Sequence, residues 1–233
     1  WWLSVEFYKI LVDYRVRKQN IFKRLFYKQF DKEYHFEPFP NVFHWAQSFR
    51  SSLYLKAHHV PESQLHYVCD YINPIFLDDS RQIKKDLHNY KILYNPKKGK
   101  DEIALLIENS PELEWIPIQG MTANQIKDLM SESLLYVDFG ENPGRDKMLR
   151  ESVSQDCCII SGKNGSSKYY EDLMIPEDYK FEFNEDVIPA IIAKIKSVLK
   201  NYQDHIPNFV IYKDEVLKEE IVFEDKLKEI FLV

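Results

Sequence analysis

The chain has 233 residues, 45% of them hydrophobic, and a net charge of −6 at pH 7. This length and hydrophobic content can supply one large or two small packed domains, which argues against a disordered chain. The negative charge argues against nucleic acid as the main partner, because phosphate recognition needs a net basic surface or a large basic patch. With three cysteines at no metal-ligand spacing, no apolar stretch of about 20 residues and no signal-peptide pattern, we expect a soluble or peripheral cytoplasmic protein.

The first 88 residues show few regular elements. A strand is predicted for Trp1 to Phe7, a helix for Ser48 to His58 and extended chain for Leu65 to Cys69. These are too few strands for an independent doubly wound domain. We therefore interpret residues 1–88 as a reduced or partial N-terminal α/β lobe.

Residues 14–30 carry six basic side chains and no acidic one, and apolar residues recur among them at helical spacing. A basic amphipathic helix of this kind can lie on an anionic membrane surface, here the inner face of the plasma membrane. A helix packed on its own lobe with a solvated basic face fits equally well. Flotation of the protein with liposomes that contain or lack anionic lipid separates these two interpretations.

From residue 89 to residue 184 the pattern alternates between strand and helix. Strands are predicted at 91–94, 114–118, 133–138 and 157–160, and helices at 102–108, from Thr122, and at about 145–155. Such alternation indicates βαβ units and a parallel sheet, whose ligands bind at the carboxyl ends of the strands. Pro117 cannot donate a hydrogen bond to a neighbouring strand, which favours an edge position for its strand.

The last part of the chain is predicted to be helical. Apolar residues recur at helical spacing from 185 to 200, and a charged, helix-favouring tail runs from about 214 to 231. The predicted organisation is therefore an N-terminal lobe at 1–88, a Rossmann-like α/β domain at 89–184 and C-terminal helices at 185–233.

Glycine is confined to one region of the chain. All six glycines lie between Gly99 and Gly165, and glycine is needed where the backbone turns with positive φ or approaches a ligand closely. Within residues 137–151 a strand ends, two glycines and a proline shape a loop, and a helix begins with basic side chains. Free N–H groups and the helix dipole attract an anion there, and Arg145 or Lys147 would add charge-assisted hydrogen bonds to phosphate. An ordinary βα turn with solvated charges fits this segment equally well.

Several stretches share a further pattern. They are DFGENPGRD at 138–146 with RES at 150–152, IISGKNGS at 159–166, YNPKKG at 94–99, FHWAQS at 43–48 and DYIN at 70–73. Together they resemble bacterial glycosyltransferases of the GT-B fold that act in surface-polysaccharide synthesis. The resemblance implies a GT-B-like fold, in which a Rossmann-type parallel-sheet domain binds a nucleoside-diphosphate sugar.

The resemblance also implies roles for particular residues. Lys97, Lys98 and Arg145 would be the catalytic cations, which offset the charge that develops on the leaving nucleoside diphosphate without a metal or other cofactor. Glu151 would hold the ribose hydroxyls of the donor. The implied donor-binding residues as a whole are Asn95, Gly99, Gly140, Glu141, Asn142, Gly144, Lys147, Glu151, Gly162 and Lys163. Glu141 and Glu151 are ten positions apart, a departure from the family's pair of glutamates that leaves Glu151 as the better-supported member.

The predicted function is transfer of a sugar from a nucleoside-diphosphate sugar to a polysaccharide or lipid-linked glycan. A second hypothesis is a non-catalytic nucleotide-sugar-binding or partner module, which would bind the donor without turning it over. A flavodoxin-like signalling scaffold is disfavoured, because the glycine loops follow several strands instead of one switch point.

Overall fold

The computed structural model describes residues 2–3, 42–77, 85–88 and 90–231. Contacts between Cα atoms divide the chain into two compact units, residues 1–69 and residues 70–233. The predictions for the basic segment 14–30, and for most of the strand at 1–7, lie outside the described residues.

Within its described residues, the first unit contains a parallel three-stranded sheet in the order β1-β2-β3. Its elements are β1 (Trp2–Leu3), β2 (His44–Ala46), α1 (Phe49–Ala57) and β3 (Leu65–Tyr67). The predicted helix at 48–58 is confirmed as α1. Ser48 is its N-cap, because the hydroxyl oxygen accepts a hydrogen bond from the backbone N–H of Ser51 at 3.0 Å.

The second unit is built on a larger parallel sheet. Its strands are β4 (Lys91–Tyr94), β5 (Glu114–Pro117), β6 (Leu135–Asp138), β7 (Cys158–Gly162) and β8 (Lys180–Phe181). Its helices are α2 (Lys100–Glu108), α3 (Ala123–Glu132), α4 (Lys147–Ser154), α5 (Ile188–Lys200), α6 (Tyr202–His205), α7 (Val210–Leu217) and α8 (Glu219–Phe231). The predicted strand–helix alternation is thereby confirmed.

The order of the described strands in the larger sheet is β5-β4-β6-β7-β8, with every pair parallel. The strand that contains Pro117 lies at an edge, as its missing N–H predicts. The chain passes from β4 to β5 on one side and then returns to place β6 on the other side of β4. The direction in which strands are added therefore reverses between β4 and β6. In doubly wound sheets, ligands bind outside the carboxyl ends of the strands at this reversal.

One apolar core joins the sheet to helices α2 to α7 of the second unit. All residues of β6 and β7 are buried, as expected for central strands covered on both faces. The core also contains Ile72 and Phe76 before the sheet and Ile191 and Tyr212 after it. The predicted domain division at 1–88, 89–184 and 185–233 remains a prediction.

Helix α5 is joined to the following helices by a chain of side-chain hydrogen bonds. The hydroxyl of Tyr179 lies 2.7 Å from His205 Nδ1, and His205 Nε2 lies 2.9 Å from the hydroxyl oxygen of Ser197. Asn208 Nδ2 donates to the Tyr179 oxygen at 3.2 Å. The tautomer of His205 decides which ring nitrogen donates, and each nitrogen bonds one of the two hydroxyl groups. These hydrogen bonds stabilise the packing of α5 against the helices that follow it.

We expect His205→Ala to lower the free energy of unfolding by about 2 kcal/mol at pH 8, because it removes two partly buried hydrogen bonds. Burial lowers the pKa of His205 below its ordinary value of 6.5. The folded wild type therefore binds this proton less tightly than the unfolded chain, and the histidine's contribution is lost as pH falls below about 6.5. Urea unfolding at pH 8 and pH 5 measures both effects. His88→Ala, at an exposed position, is the control; equal losses in the two variants would contradict the prediction.

Candidate functional site

A cleft of about 560 Å³ lies at the carboxyl edge of the larger sheet. Three chain segments form it: the start of α2, the residues that follow β6, and the residues that follow β7. The lining residues are Gly99, Lys100, Asp101, Glu102, Phe139, Glu141, Lys163, Asn164 and Gly165. The cleft thus occupies the position at which the topology of the sheet predicts a ligand.

The N-terminus of α2 forms one wall of the cleft. Gly99 is its N-cap residue, with φ of +54°, and no side-chain hydrogen bond caps this helix in the described chain. The first backbone N–H groups of an α-helix have no partner within the helix and carry the positive end of its dipole. Asp101 and Glu102 in the first turn oppose that charge, whereas Lys100 adds to it. The wall can therefore donate hydrogen bonds to an anionic group.

Gly99 also sets the distance between the loops that follow β4 and β6. A Cβ atom at this position would lie 2.5 Å from the carbonyl carbon of Phe139 and 2.8 Å from the nitrogen of Gly140. These are main-chain atoms, so they cannot move aside as a flexible side chain can. Close approach of the two backbones at the reversal point requires glycine here.

The loops after β6 and β7 are joined in turn. Asn142 and Gly165 form a parallel β-bridge, and the N–H of Ser166 donates to the Asn142 carbonyl oxygen at 2.7 Å. The buried Asn142 side chain donates to the Ser167 hydroxyl at 2.8 Å. Asn164 Nδ2 donates to the Phe139 carbonyl at 3.0 Å. These two hydrogen-bonded loops, which follow β6 and β7, form the floor of the cleft and continue the hydrogen bonding of the sheet.

Lys98 lies behind this floor with its ammonium group held by polar side chains. Its Nζ donates to Asn142 Oδ1 at 2.7 Å, forms an ion pair with Asp146, and lies 3.9 Å from Asp138 Oδ2. The lysine thus links the loop after β4 to the N-terminus of α4. In this arrangement the charge of the ammonium is neutralised within the protein.

Asp138 ends β6 and is buried. Its Oδ1 accepts a hydrogen bond from the N–H of Gly140 at 2.7 Å, while Oδ2 has no hydrogen-bond partner in the described residues. Burial raises the pKa of Asp138 to about 6; the charge of Asp146 adds to this effect, and Lys98 opposes it. This carboxyl group can therefore exchange a proton near neutral pH.

Glu151 lies in the second turn of α4. Burial raises its pKa to about 7, with a further contribution from Asp146, while Arg150 and Lys147 act in the opposite direction. It lies outside the lining of the cleft as the described residues form it. Its ribose-binding role stays a prediction.

The basic residues near the start of α4 point to other partners. Arg145 Nη2 lies 2.9 Å from Glu219 Oε1 in α8, and Lys147 Nζ lies 3.5 Å from Asp70 Oδ2. Neither residue is part of the lining of the cleft. Asp146, which the sequence analysis did not single out, caps α4 by accepting hydrogen bonds from the first turn of the helix.

The structure brings some of the predicted site residues together and separates others. Gly99, Glu141 and Lys163 line the cleft, Gly140 and Asn142 lie in the loop after β6, Gly162 ends β7 directly before the lining residues of the next loop, and Lys97 is exposed outside the lining. Asn95 and Gly144 lie outside the lining. The side-chain amide of Asn95 lies 3.2 Å from the sulfur of Met148 in α4, and Gly144 is buried in the loop before α4.

The sequence analysis missed the contribution of α2 to the lining. Lys100, Asp101, Glu102 and Phe139 were not singled out. The available signal was the position of Gly99 immediately before Lys100, Asp101 and Glu102, since a glycine that ends a loop also fixes where the next helix begins.

The described residues contain no group of three or more histidine, cysteine, aspartate or glutamate side chains arranged to hold a metal ion. No helix among them combines the length and the apolar composition that a membrane crossing requires.

Known proteins resemble the chain at low sequence identity. No protein-family model matches it. An alpha-1,6-glucosyltransferase from Actinobacillus pleuropneumoniae serotype 7 (strain AP76) is 22% identical over 158 residues. The match covers 59% of this chain and 48% of that protein, so the chain spans about half the length of the curated relative.

Several solved structures are similar to the chain. HepE from Anabaena, in complex with UDP-glucose, has a TM-score of 0.56 at 10% identity, with 82% of this chain and 64% of HepE covered. WaaG, involved in lipopolysaccharide biosynthesis, has a TM-score of 0.58 at 12% identity, with 91% and 71% covered. A mutant of TarM from S. aureus, in complex with fondaparinux, alpha-GlcNAc-glycerol and UDP, has a TM-score of 0.57 at 11% identity, with 80% and 42% covered. These similarities confirm the predicted GT-B-like α/β fold with C-terminal helices.

Proposed function

We propose that the chain belongs to a glycosyltransferase that binds a nucleoside-diphosphate sugar in the cleft at the carboxyl edge of the larger sheet. The observation that carries the proposal is the coincidence of three features at one place. The chain reverses direction there, the uncapped N-terminus of α2 faces the opening, and two joined glycine-containing loops form the floor. Diphosphates bind at helix N-termini in sites of this construction.

The diphosphate would lie against the start of α2. Lys100 and Lys163 line the cleft, and their charges would oppose the negative charge that develops on the diphosphate as the bond to the sugar breaks. Preorganised charges and dipoles of this kind stabilise the transition state without rearrangement. Lys98 lies outside the lining, and its ammonium, which is paired with Asp146, would act by fixing the loop after β6 against the start of α4. The mechanism proposed here uses no metal ion.

The similar proteins suggest which donors and acceptors to test first. HepE was crystallised with UDP-glucose, and the curated relative is named as a glucosyltransferase. WaaG acts in lipopolysaccharide biosynthesis. We therefore place UDP-glucose first among candidate donors, and a polysaccharide or lipid-linked glycan first among acceptors.

A thermal-shift screen against nucleoside diphosphates and their sugars tests donor binding. A donor at a hundredfold excess over its Kd should raise the unfolding temperature by about 5 °C or more. Lys100→Glu should weaken binding about tenfold or more, because it places a negative charge beside the diphosphate. Lys168→Glu, at an exposed position outside the lining, should leave binding unchanged. If no donor stabilises the wild type, or if the two variants behave alike, the proposed site is wrong.

One observation favours a second candidate, a module that binds the donor without turning it over. Lys98 and Arg145, two of the predicted catalytic cations, are already paired with Asp146 and Glu219. Assays of donor hydrolysis and of transfer to glycan acceptors separate the candidates, because both bind the donor and only the enzyme releases the free sugar or a glycosylated product.

A further inference from the structure

Helix α8 is attached to the rest of the second unit through a buried carboxylate. Glu219 is the first residue of α8 and the one buried residue in Glu219–Phe231, all of which the structure describes; it is 5% exposed. An ionised group is costly to bury, and an apolar side chain of similar size would usually dock a helix at lower cost. A glutamate at this position therefore suggests a role in addition to docking.

The Glu219 carboxylate binds two guanidinium groups. Its Oε1 lies 2.9 Å from Arg145 Nη2, and its Oε2 lies 2.8 Å from Arg150 Nη1. Arg150 is completely buried and forms a further ion pair at 2.8 Å with Oδ1 of Asp70. Two buried arginine side chains thus lie against two carboxylates, and Asp70 also lies 3.5 Å from the Nζ of the exposed Lys147. Removal of either acid would leave two neighbouring cations undercompensated.

Arg150 connects this cluster to the loop that precedes α4. Its Nε donates to the main-chain oxygen of Asp146 at 3.3 Å. Its Nη1 donates to the main-chain oxygen of Asp70 at 2.7 Å and to Glu219 Oε2 at 2.8 Å. Its Nη2 donates to Asp70 Oδ1 at 2.8 Å and to the main-chain oxygen of Arg145 at 3.1 Å. Two of these acceptors are main-chain carbonyl groups of consecutive loop residues. The position of the loop backbone is therefore coupled to Glu219 through a single planar group.

From the loop, the contacts continue to Lys98. Asp146 Oδ1 accepts hydrogen bonds from the N–H groups of Met148 and Leu149 at 3.0 and 3.2 Å, and Oδ2 pairs with the Lys98 ammonium. A displacement of the Asp146 backbone would therefore move the cation that lies behind the floor of the cleft.

We propose that Glu219 is a positioning residue for the donor site. It holds Arg145 and Arg150, and through them the loop at 144–146 and the ammonium of Lys98, in the arrangement that donor turnover needs. This inference rests on the proposed glycosyltransferase function for its effect on catalysis, and on the ion-pair geometry alone for its effect on the loop.

Hydrogen–deuterium exchange of the intact chain tests the effect on the loop. In Glu219→Gln, the amides of residues 144–149 should exchange about tenfold or more faster than in the wild type, because two guanidinium groups lose their shared counter-ion. The amides of β6 and β7 should keep their protection. Glu220→Gln, next to it on the same helix, is the matched control and should leave both regions unchanged. Unchanged exchange at 144–149 in Glu219→Gln, or equal acceleration in β6 and β7, overturns the inference.

Steady-state kinetics test the effect on catalysis. Glu219→Gln should lower kcat about tenfold or more while the KM for the donor changes less than threefold, and Glu219→Asp, which keeps the charge, should restore part of kcat. A raised KM with unchanged kcat overturns the inference. If the wild type neither binds nor turns over any donor, the proposed function fails, while the exchange measurement still decides whether Glu219 positions the loop.

Discussion

Glu151→Gln is expected to make the protein more stable at pH 8 and to weaken its binding of UDP-glucose. The free energy of unfolding should rise by about 1 to 2 kcal/mol, because the variant removes an ionised carboxylate from a partly buried position. Affinity should fall about 100-fold, because charge-assisted hydrogen bonds to two ribose hydroxyl groups would be lost. Urea unfolding and isothermal titration calorimetry measure the two quantities.

The pH dependence gives the Glu151 prediction a second test. The pKa of Glu151 is raised from its ordinary value of 4.5 to about 7 by burial, so the folded protein binds this proton more tightly than the unfolded chain does. Its contribution to stability is therefore complete below about pH 4.5 and is lost as pH rises through 7. The gain in stability from Glu151→Gln should shrink towards zero at pH 5. Donor affinity of the wild type should fall as pH drops below about 7, and that of the variant should not.

An exposed glutamate provides the control for this variant. Glu132→Gln, at the end of α3, should change neither stability nor donor affinity. A Glu151→Gln variant with wild-type affinity would remove the ribose-binding assignment, because the amide has one acceptor oxygen and no charge, whereas the carboxylate has two acceptor oxygens. It would leave the cleft and its phosphate-binding wall as a separate proposal.

Gly99→Ala is expected to lower the free energy of unfolding by about 3 kcal/mol or more. About 1 kcal/mol would come from the left-handed conformation, and the rest from contact of the new methyl group with the Phe139 and Gly140 backbones. The loops after β4 and β6 would have to separate to admit it. Donor binding should fall with stability, since both loops belong to the cleft. Urea unfolding and the thermal-shift screen measure the two effects.

Gly120 provides a matched comparison. It also has a positive φ, of +65°, but no atom lies within 4 Å of the position that a Cβ would take. Gly120→Ala should therefore cost about 1 kcal/mol and leave donor binding unchanged. Similar costs at the two positions would show that the backbone conformation, and not the approach of the loops, decides the need for glycine.

The sequence predicted those parts of the fold that local interactions determine. Strand and helix alternation from residue 91, the edge position of the Pro117 strand and the helix from Thr122 all follow from residues within a few positions of one another. The short strands β2 and β8 were not predicted. Each is two or three residues long and is defined by pairing with a distant segment, so periodicity within the strand carries too little information.

The candidate site was predicted less completely, for the same reason. The glycine clustering located the loops that line the cleft, because glycine records a local backbone requirement. The partners of Lys98 lie 44 and 48 residues away, and Glu219 is 69 residues from Arg150. Basic residues next to a glycine loop were therefore assigned to phosphate, whereas Arg145 is paired with an acid of α8 that only the fold brings near.

The bridge between Asn142 and Gly165 restricts how related proteins can differ around the cleft. Because the two loops are hydrogen-bonded to each other, an inserted or deleted residue in one would break its pairing with the other. Relatives with different donor preferences should therefore keep both loop lengths and vary side chains at positions such as 141, 163 and 164. Loop length in a set of homologous sequences then distinguishes chains that retain this floor from chains that have rebuilt it.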